Sequence, residues 1–137
     1  GSSSCIYEIC VKAPALSWCD NGKKDAVKSA LKYSDTAFSR LYEITTSFDK
    51  GSIGETEVKN RLKGLLNEIN KLNADFDKIT KSENMPEYIK IKAEIKAAAA
   101  VVGNVAKSDF SGAYLAAALR FATMSVVCGY KNLATEL

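Results

Sequence analysis

The apolar residues between positions 58 and 79 are separated by alternating steps of four and three residues, without a break. Such spacing puts one apolar side chain per turn on the same face of an α-helix, and its persistence over three heptads is typical of helices in left-handed bundles. The pattern therefore predicts an all-α protein. The residues of this seam are Val58, Leu62, Leu65, Ile69, Leu72, Phe76 and Ile79.

The two ends of this helix carry their own signals. Ser52 and Glu55 have the spacing of a capping box, in which each side chain accepts a hydrogen bond from the other residue's backbone N–H, so we expect the helix to begin there. Beyond its other end, Pro86 suits the first turn of a third helix, because a backbone N–H at that position would have no partner within the helix.

Two further helices flank this pair. The first is expected to end at Gly51, where glycine can adopt the left-handed conformation, and the last is expected to be capped by Ser108 or Asp109. Three- and four-residue spacing defines the apolar positions of the first and third helices. They are Val27, Ala30, Leu31, Ala37, Phe38, Leu41, Ile44 and Phe48 in the first, and Tyr88, Ile91, Ile95, Ala98, Val102 and Val105 in the third.

The length of the chain, 137 residues, predicts a single domain. Because the connections after residues 48 and 80 are short, we expect an up-down-up-down four-helix bundle, preceded by a short helical segment near residues 6–11. Residues 1–4 are expected to be a tag remnant or a disordered end. Residues 5–137 form the predicted helical domain.

The four cysteines are unevenly placed, with Cys5, Cys10 and Cys19 near one end and Cys128 near the other. An even number in a short chain is typical of an oxidising compartment, so the predicted location is secreted and extracellular. A zinc site is disfavoured, because close cysteine pairs and histidine are both lacking. Of the three possible connectivities we favour Cys10–Cys19 with Cys5–Cys128, which would staple the N-terminal segment to the last helix.

The last helix differs from the others in lacking a polar face. Between Ala113 and Tyr130, Arg120 is the only charged residue, whereas a helix on the surface of a bundle should have a solvated face. Three possibilities remain open for what covers the additional apolar face of this helix. They are the other helices together with the N-terminal segment, a second protein, or a lipid bilayer. The alanine runs at 97–100 and 116–118 also predict a tight antiparallel pairing of the last two helices.

Four residues are candidates for binding: Arg120, Tyr114, Trp18 and Tyr130. Because a guanidinium is always charged, Arg120 is expected either to form a structural ion pair with its head group near solvent or to anchor an anionic ligand or a protein target. The three aromatic side chains can support such binding or pack into the core.

The sequence lacks the residues that the commonest catalytic sets require. Without histidine there is no Ser-His-Asp set and no Glu-x-x-His metal site, and we predict no enzymatic activity, cofactor or metal. Nineteen Lys and Arg are interspersed with sixteen Asp and Glu, which disfavours a nucleic-acid surface. Two acidic pairs, Glu55 with Glu57 and Glu83 with Glu87, are interpreted as caps and surface charges.

Cys10 and Cys19 around Pro14, followed by a helical bundle, are similar to the N-terminal hairpin of plant invertase and pectin methylesterase inhibitors. The similarity is confined to this segment, since the second cysteine pair that those inhibitors carry within the bundle is absent. In outline the chain also resembles a short-chain cytokine, but its connections are too short for the two long crossovers of cytokine bundles.

These features together predict a secreted, non-enzymatic protein-binding module with an extracellular protein target, such as an inhibitor or a host-directed effector. The alternative is a carrier of a lipid or other small apolar ligand inside the bundle, and a homodimer through the last helix is also open. A carrier needs an internal cavity that holds its ligand. An interaction protein, in contrast, is expected to have a filled core. An enzyme would need a pocket that gathers Arg40, Arg61 or Arg120 beside carboxylates.

Overall fold

A computed structural model describes residues 33–80 and 86–136. Within these residues there are four helices and no strands: α1 (Tyr33–Asp49), α2 (Glu55–Thr80), α3 (Pro86–Ala106) and α4 (Gly112–Glu136). The all-α prediction is therefore confirmed for this part of the chain. The predicted N-terminal helix, the three N-terminal cysteines and the apolar positions 27, 30 and 31 lie outside the described residues.

The helices form a closed ring in which α1 packs on α2, α2 on α3, α3 on α4 and α4 on α1. The α2–α3 interface is the most extensive of the four. In it Asp77 pairs with Lys92, whereas Leu66, eleven residues earlier, reaches Gly103, eleven residues later. The two helices are therefore antiparallel, as expected for neighbours joined by a short connection.

Helix α4 runs antiparallel to α1 and closes the ring. Asp49 at the end of α1 lies beside Arg120 in the first half of α4, and Thr45 lies beside Thr123 one turn further along. The start of α1 and the end of α4 are consequently at the same end of the bundle.

The core lies inside this ring and is built from the predicted seams. All six apolar positions predicted for α3 are buried, as are five of the seven in α2, while Leu72 is half-buried. Phe76 packs edge-on against Tyr88, with ring centroids 5.9 Å apart. The fully buried large side chains are Phe76, Leu41, Leu62, Leu65, Ile69, Ile91, Ile95 and Leu115.

Helix α1 ends as its glycine predicts. Gly51 has a φ of +73°, and its N–H donates to the Phe48 carbonyl at 3.0 Å. The N–H of Ser52 donates to the Ser47 carbonyl at 2.8 Å. These two bonds form a Schellman motif, which satisfies carbonyl groups that the helix itself leaves without partners.

The predicted capping box between Ser52 and Glu55 is wrong. The Ser52 N–H is already used to close α1, and α2 begins at Glu55, with its first backbone bond running from Val58 N to Gly54 O at 3.0 Å. The Glu55 carboxylate instead accepts a hydrogen bond from the N–H of Gly112 at 2.9 Å. One carboxylate thus lies at the N-termini of α2 and α4, where both helix dipoles favour a negative charge.

The predicted cap of α4 at Ser108 or Asp109 is also wrong, because this helix begins later, at Gly112, where φ is +52°. Ser108 terminates α3 instead. Its hydroxyl and its backbone N–H both donate to the Val105 carbonyl, at 2.7 and 3.2 Å. The serine is therefore used by the helix that precedes it.

Candidate interaction surface

Helix α4 has two apolar faces, and only one of them is buried by the bundle. The inner face packs into the core through Leu115, Leu119, Ala122 and Val126. On the opposite side Tyr114 is 81% exposed, Phe121 69% and Met124 65%. We call the exposed residues of this face the outer stripe: Tyr114, Ala117, Phe121 and Met124.

The outer stripe follows from the spacing of its residues. Tyr114 and Phe121 are seven residues apart, as are Ala117 and Met124, so all four recur along one side of the helix. Because α4 contacts α1 and α3 through its other sides, the neighbouring helices leave the stripe uncovered. The second apolar face predicted for α4 is present, and α1, α2 and α3 leave it exposed. The N-terminal segment, which was named together with the other helices as one possible cover, lies outside the described residues.

Arg120 lies at the edge of the outer stripe and has a counterion. Its Nη2 donates to Oδ1 of Asp49 at 3.2 Å, across the α1–α4 interface. The two side chains are 60% and 37% exposed, so the pair is close to solvent and contributes at most about 1 kcal/mol to stability. The ion pair expected for this arginine is present, and its role as an anchor for a partner remains a prediction.

A pair of threonines lies next to this ion pair in the α1–α4 interface and was not predicted from the sequence. The hydroxyls of Thr45 and Thr123 donate to the carbonyls of Leu41 and Leu119, at 2.7 and 2.8 Å, and approach each other to 3.4 Å. Each threonine satisfies its hydroxyl on its own helix, which makes burial of the group inexpensive. Periodicity alone does not reveal such residues, because threonine is counted as polar.

A second surface feature is a cleft of about 320 Å³ on the α1–α2 side, lined in part by Arg40, Glu43 and Arg61. It gathers two of the three arginines that an enzyme would be expected to place beside carboxylates. Arg40 is ion-paired with Glu68, and Nε of Arg61 donates to Glu57 at 2.8 Å. Since each guanidinium has a carboxylate partner, the arrangement is that of a network of surface ion pairs.

A smaller cleft of about 140 Å³ lies between α3 and α4, lined by Ala97, Ala98, Val101 and Ser125 among others. The contact between these two helices is present, and the cleft lies along it. The tightness predicted from the alanine runs stays a prediction. Both clefts open to solvent rather than lying enclosed within the core.

The other predicted site residues are only partly within the described structure. Tyr114 belongs to the outer stripe, whereas Trp18 and the N-terminal cysteines lie outside the described residues. Cys128 and Tyr130 fall within α4, but their side chains are outside the description. Of the acidic pairs, Glu55 and Glu57 have the hydrogen-bond partners given above, and the other pair is not described.

In residues 33–80 and 86–136 no three potential metal ligands cluster together. Over the same ranges, no helix combines the length and apolar content that a membrane span requires.

No protein-family model matches the chain, and neither a curated protein nor a solved structure matches it.

Proposed function

We propose that this protein is a secreted, non-enzymatic protein-binding module, such as an inhibitor or a host-directed effector, and that α4 contacts its extracellular target. One observation carries the proposal: Tyr114, Phe121 and Met124 are all more than half exposed on one side of a single helix. Large apolar side chains that are exposed together, rather than scattered singly, mark interaction surfaces.

The residue types on this face are those that protein interfaces favour. Aromatic residues, methionine and arginine are enriched in interface cores, and tyrosine and arginine are frequent hot spots. Arg120 supplies a charged group at the edge of the apolar stripe, with Asp49 as its partner in the free protein. A target carboxylate can exchange places with Asp49 at little cost, because the existing pair is already solvated.

The scaffold beneath the stripe is suited to presenting it rigidly. The inner face of α4 is anchored by Leu115 and Leu119, both fully buried, so the helix need not order itself on binding.

The disulfides Cys10–Cys19 and Cys5–Cys128 remain part of the proposed function. Each would form when two thiols pass two electrons and two protons to a disulfide-bonded oxidoreductase of the secretory pathway, which is itself reduced to a dithiol.

The carrier alternative has less support in the described part of the chain. Its clefts open to solvent, and the larger of them is bordered by charged side chains, Arg40, Glu43 and Arg61, rather than by the apolar lining that a lipid needs. Native mass spectrometry separates the two functions. An adduct that is lost on denaturation would indicate a carrier, and a protein mass four hydrogens below the reduced value, without adduct, would favour the binding module.

Protein binding itself is tested by screening the oxidised protein against a panel of purified extracellular domains and measuring the affinity of each specific pair. Tyr114→Ala is expected to weaken a specific complex by about 30-fold, the effect of a 2 kcal/mol hot spot. Ile89→Ala is the matched control, because Ile89 is a 66% exposed apolar residue on α3 and lies outside the stripe.

The control should bind within about twofold of wild type, since isolated surface residues contribute little to binding. Equal losses in both variants, or a complex unaffected by Tyr114→Ala and by Arg120→Ala, would remove α4 from the proposed function.

A further inference from the structure

We infer that the target of this protein presents an amphipathic α-helix, and that this helix packs over the cleft between α3 and α4 with one apolar side chain inside it. The inference rests on the proposed function and adds the structural class of the partner. It is carried by the cleft, whose two walls continue into exposed apolar surface on both helices.

The α4 wall of the cleft is continuous with the outer stripe. Tyr114, Ala118, Phe121 and Ser125 follow one another at steps of four, three and four residues, so they form a ridge along one side of the helix. Ser125 lines the cleft, and the exposed Phe121 is its neighbour one turn earlier on this ridge. From Tyr114 to Ser125 the ridge is about 16 Å long at 1.5 Å per residue, the length of roughly three helical turns.

The α3 wall of the cleft is low. Ala97 lines the cleft and is exposed, and Ala93 and Ala100, about one turn away on either side, are exposed as well. Between the two walls lie Ala98 and Val126, both buried. Because the distance between packed helices depends on the side chains at their contact, alanines allow the axis of a partner helix to come close to α3.

The cleft has room for one large apolar side chain. Its volume is about 140 Å³, close to the roughly 150 Å³ of an apolar cavity that holds a benzene ring in another protein. Of the described residues that line it, Glu94 and Ser125 are the polar ones. A leucine or phenylalanine of the partner can therefore lose its water there, as the anchor residues of protein interfaces do.

The area of the outer stripe is too small to form the whole interface. At roughly 200 Å² for a fully exposed large side chain, its three large residues present about 400 Å². Specific complexes bury about 800 Å² on each partner, so the stripe supplies about half of that area. It is bounded by the charged pair of Arg120 and Asp49 toward α1, and by the cleft toward α3. The remaining apolar area therefore lies on the α3 side.

The secondary structure of the partner follows from the hydrogen bonds that this surface can make. The described part of the chain consists of helices and loops, and it offers no sheet edge to which an extended segment could add as a strand. An extended segment on apolar side chains would lose the water from its backbone N–H and C=O groups without gaining partners for them. An α-helix bonds these groups internally, so it can lie on this surface without that cost.

Charge complementarity adds an acidic residue to the partner helix. The Arg120 side chain is 60% exposed and its present counterion, Asp49, is solvated, so the guanidinium can pair with a carboxylate of the bound helix. The expected partner is thus a helix with apolar residues at i, i+3 or i+4 and i+7, which follow the spacing of the ridge, and with an Asp or Glu beside them.

A displayed library of helical peptides with this pattern, about 14 residues long, tests the inference on the oxidised full-length protein. Ala97→Glu should weaken the binding of selected peptides at least about tenfold, because a carboxylate in the cleft would lose its water on binding. The matched control is Ala74→Glu, which adds the same side chain at an exposed alanine of α2 and should change the affinity less than about twofold. A central proline in the peptide should abolish binding, because it breaks the helix.

Methyl NMR of the wild-type protein gives a result that depends on no variant. Addition of a selected peptide should shift the methyl signals of Ala97 and Val101 and leave that of Ala74 unchanged. A library without any binder, equal affinities for wild type and Ala97→Glu, or unshifted Ala97 and Val101 signals in a peptide complex would each overturn the inference.

The inference and the proposed function can fail separately when both variants are measured against the panel of extracellular domains. A complex that is weakened by Tyr114→Ala but not by Ala97→Glu would keep the protein-binding function and overturn the α3–α4 cleft as part of its site. A complex weakened by both substitutions would support both. A complex that neither substitution weakens would count against the inference and against α4 as the contact surface.

Discussion

Helices α2 and α4 have almost the same length, 26 and 25 residues, but their outer faces are opposite in character. Both bury an apolar seam in the core. The outer side of α2 carries charged residues such as Lys63, Glu68 and Lys71. The outer side of α4 instead exposes Tyr114, Phe121 and Met124.

The difference shows which part of the molecule is explained by folding alone. The outer face of α2 is charged and suited to solvent, so this face requires no further partner. Helix α4 instead exposes large apolar side chains that lie mostly outside the core of the four-helix ring. We attribute them to the proposed contact with a target protein.

The largest expected effect comes from removing the proposed disulfides, one of which, Cys5–Cys128, would close a loop that ends in α4. Closing a loop of more than 100 residues contributes roughly 4 to 5 kcal/mol in the chain-entropy model. Urea unfolding of the full-length protein with and without reductant should show a loss of this order in the free energy of unfolding. An all-serine variant of the four cysteines is the control, and reductant should not change its stability. Unchanged wild-type stability in reductant would mean that no such bond closes the fold.

The next effect compares the same substitution on the two helices. Phe76→Ala in α2 should destabilise by about 4 kcal/mol, because the ring is fully buried against Tyr88 and its removal leaves a cavity. Phe121→Ala in α4 should change the stability by less than about 0.5 kcal/mol, because most of the ring is exposed. Equilibrium denaturation of both variants gives the two values. A loss as large for Phe121→Ala as for Phe76→Ala would contradict the exposed position of the Phe121 ring.

Two glycines, one just after α1 and one within α2, are expected to change stability in opposite directions when replaced by alanine. Gly51→Ala should destabilise by about 1 kcal/mol, because alanine is strained at a φ of +73°. Gly64→Ala should stabilise by about 1 kcal/mol, because Gly64 lies on the exposed side of α2 with open space around a new Cβ. Thermal melts of the two variants measure both effects. The same sign in both would contradict the assigned end of α1.

The smallest effect concerns the ion pair at the edge of the outer stripe. A double-mutant cycle of Asp49→Asn and Arg120→Gln should give a coupling energy of about 0.5 kcal/mol that decreases with added salt, because both groups are partly exposed. A coupling energy above about 1.5 kcal/mol would mean that the ion pair contributes substantially to holding α1 and α4 together. Arg120 would then be poorly available to a target.

The sequence predicted the helices and the core well because the apolar periodicity extends over the whole length of each helix. The seam from Val58 to Phe76, with Leu72 half-buried, and the six positions of α3 pack in the core as predicted. Gly51 and Pro86 are at the helix ends expected of them. These signals depend only on residues that are close in sequence.

The errors arose where a local signal had a competing partner. The capping box failed because the Ser52 N–H closes α1 and the Glu55 carboxylate is used by Gly112, 57 residues away in the chain. The exposed position of the outer stripe also depends on which sides of α4 meet α1 and α3. Periodicity shows that a helix has two apolar faces but does not show which one its neighbours bury.

The proposed contact surface, the outer stripe of α4, is exposed in the described structure. Hydroxyl-radical footprinting of the oxidised full-length monomer measures this exposure, with each residue's reactivity referred to that in the denatured chain. We expect Tyr114, Phe121 and Met124 all to be modified almost as fast as in the denatured chain. Modification of all three residues several-fold more slowly would show that the stripe is covered within the monomer and is not free to contact a target.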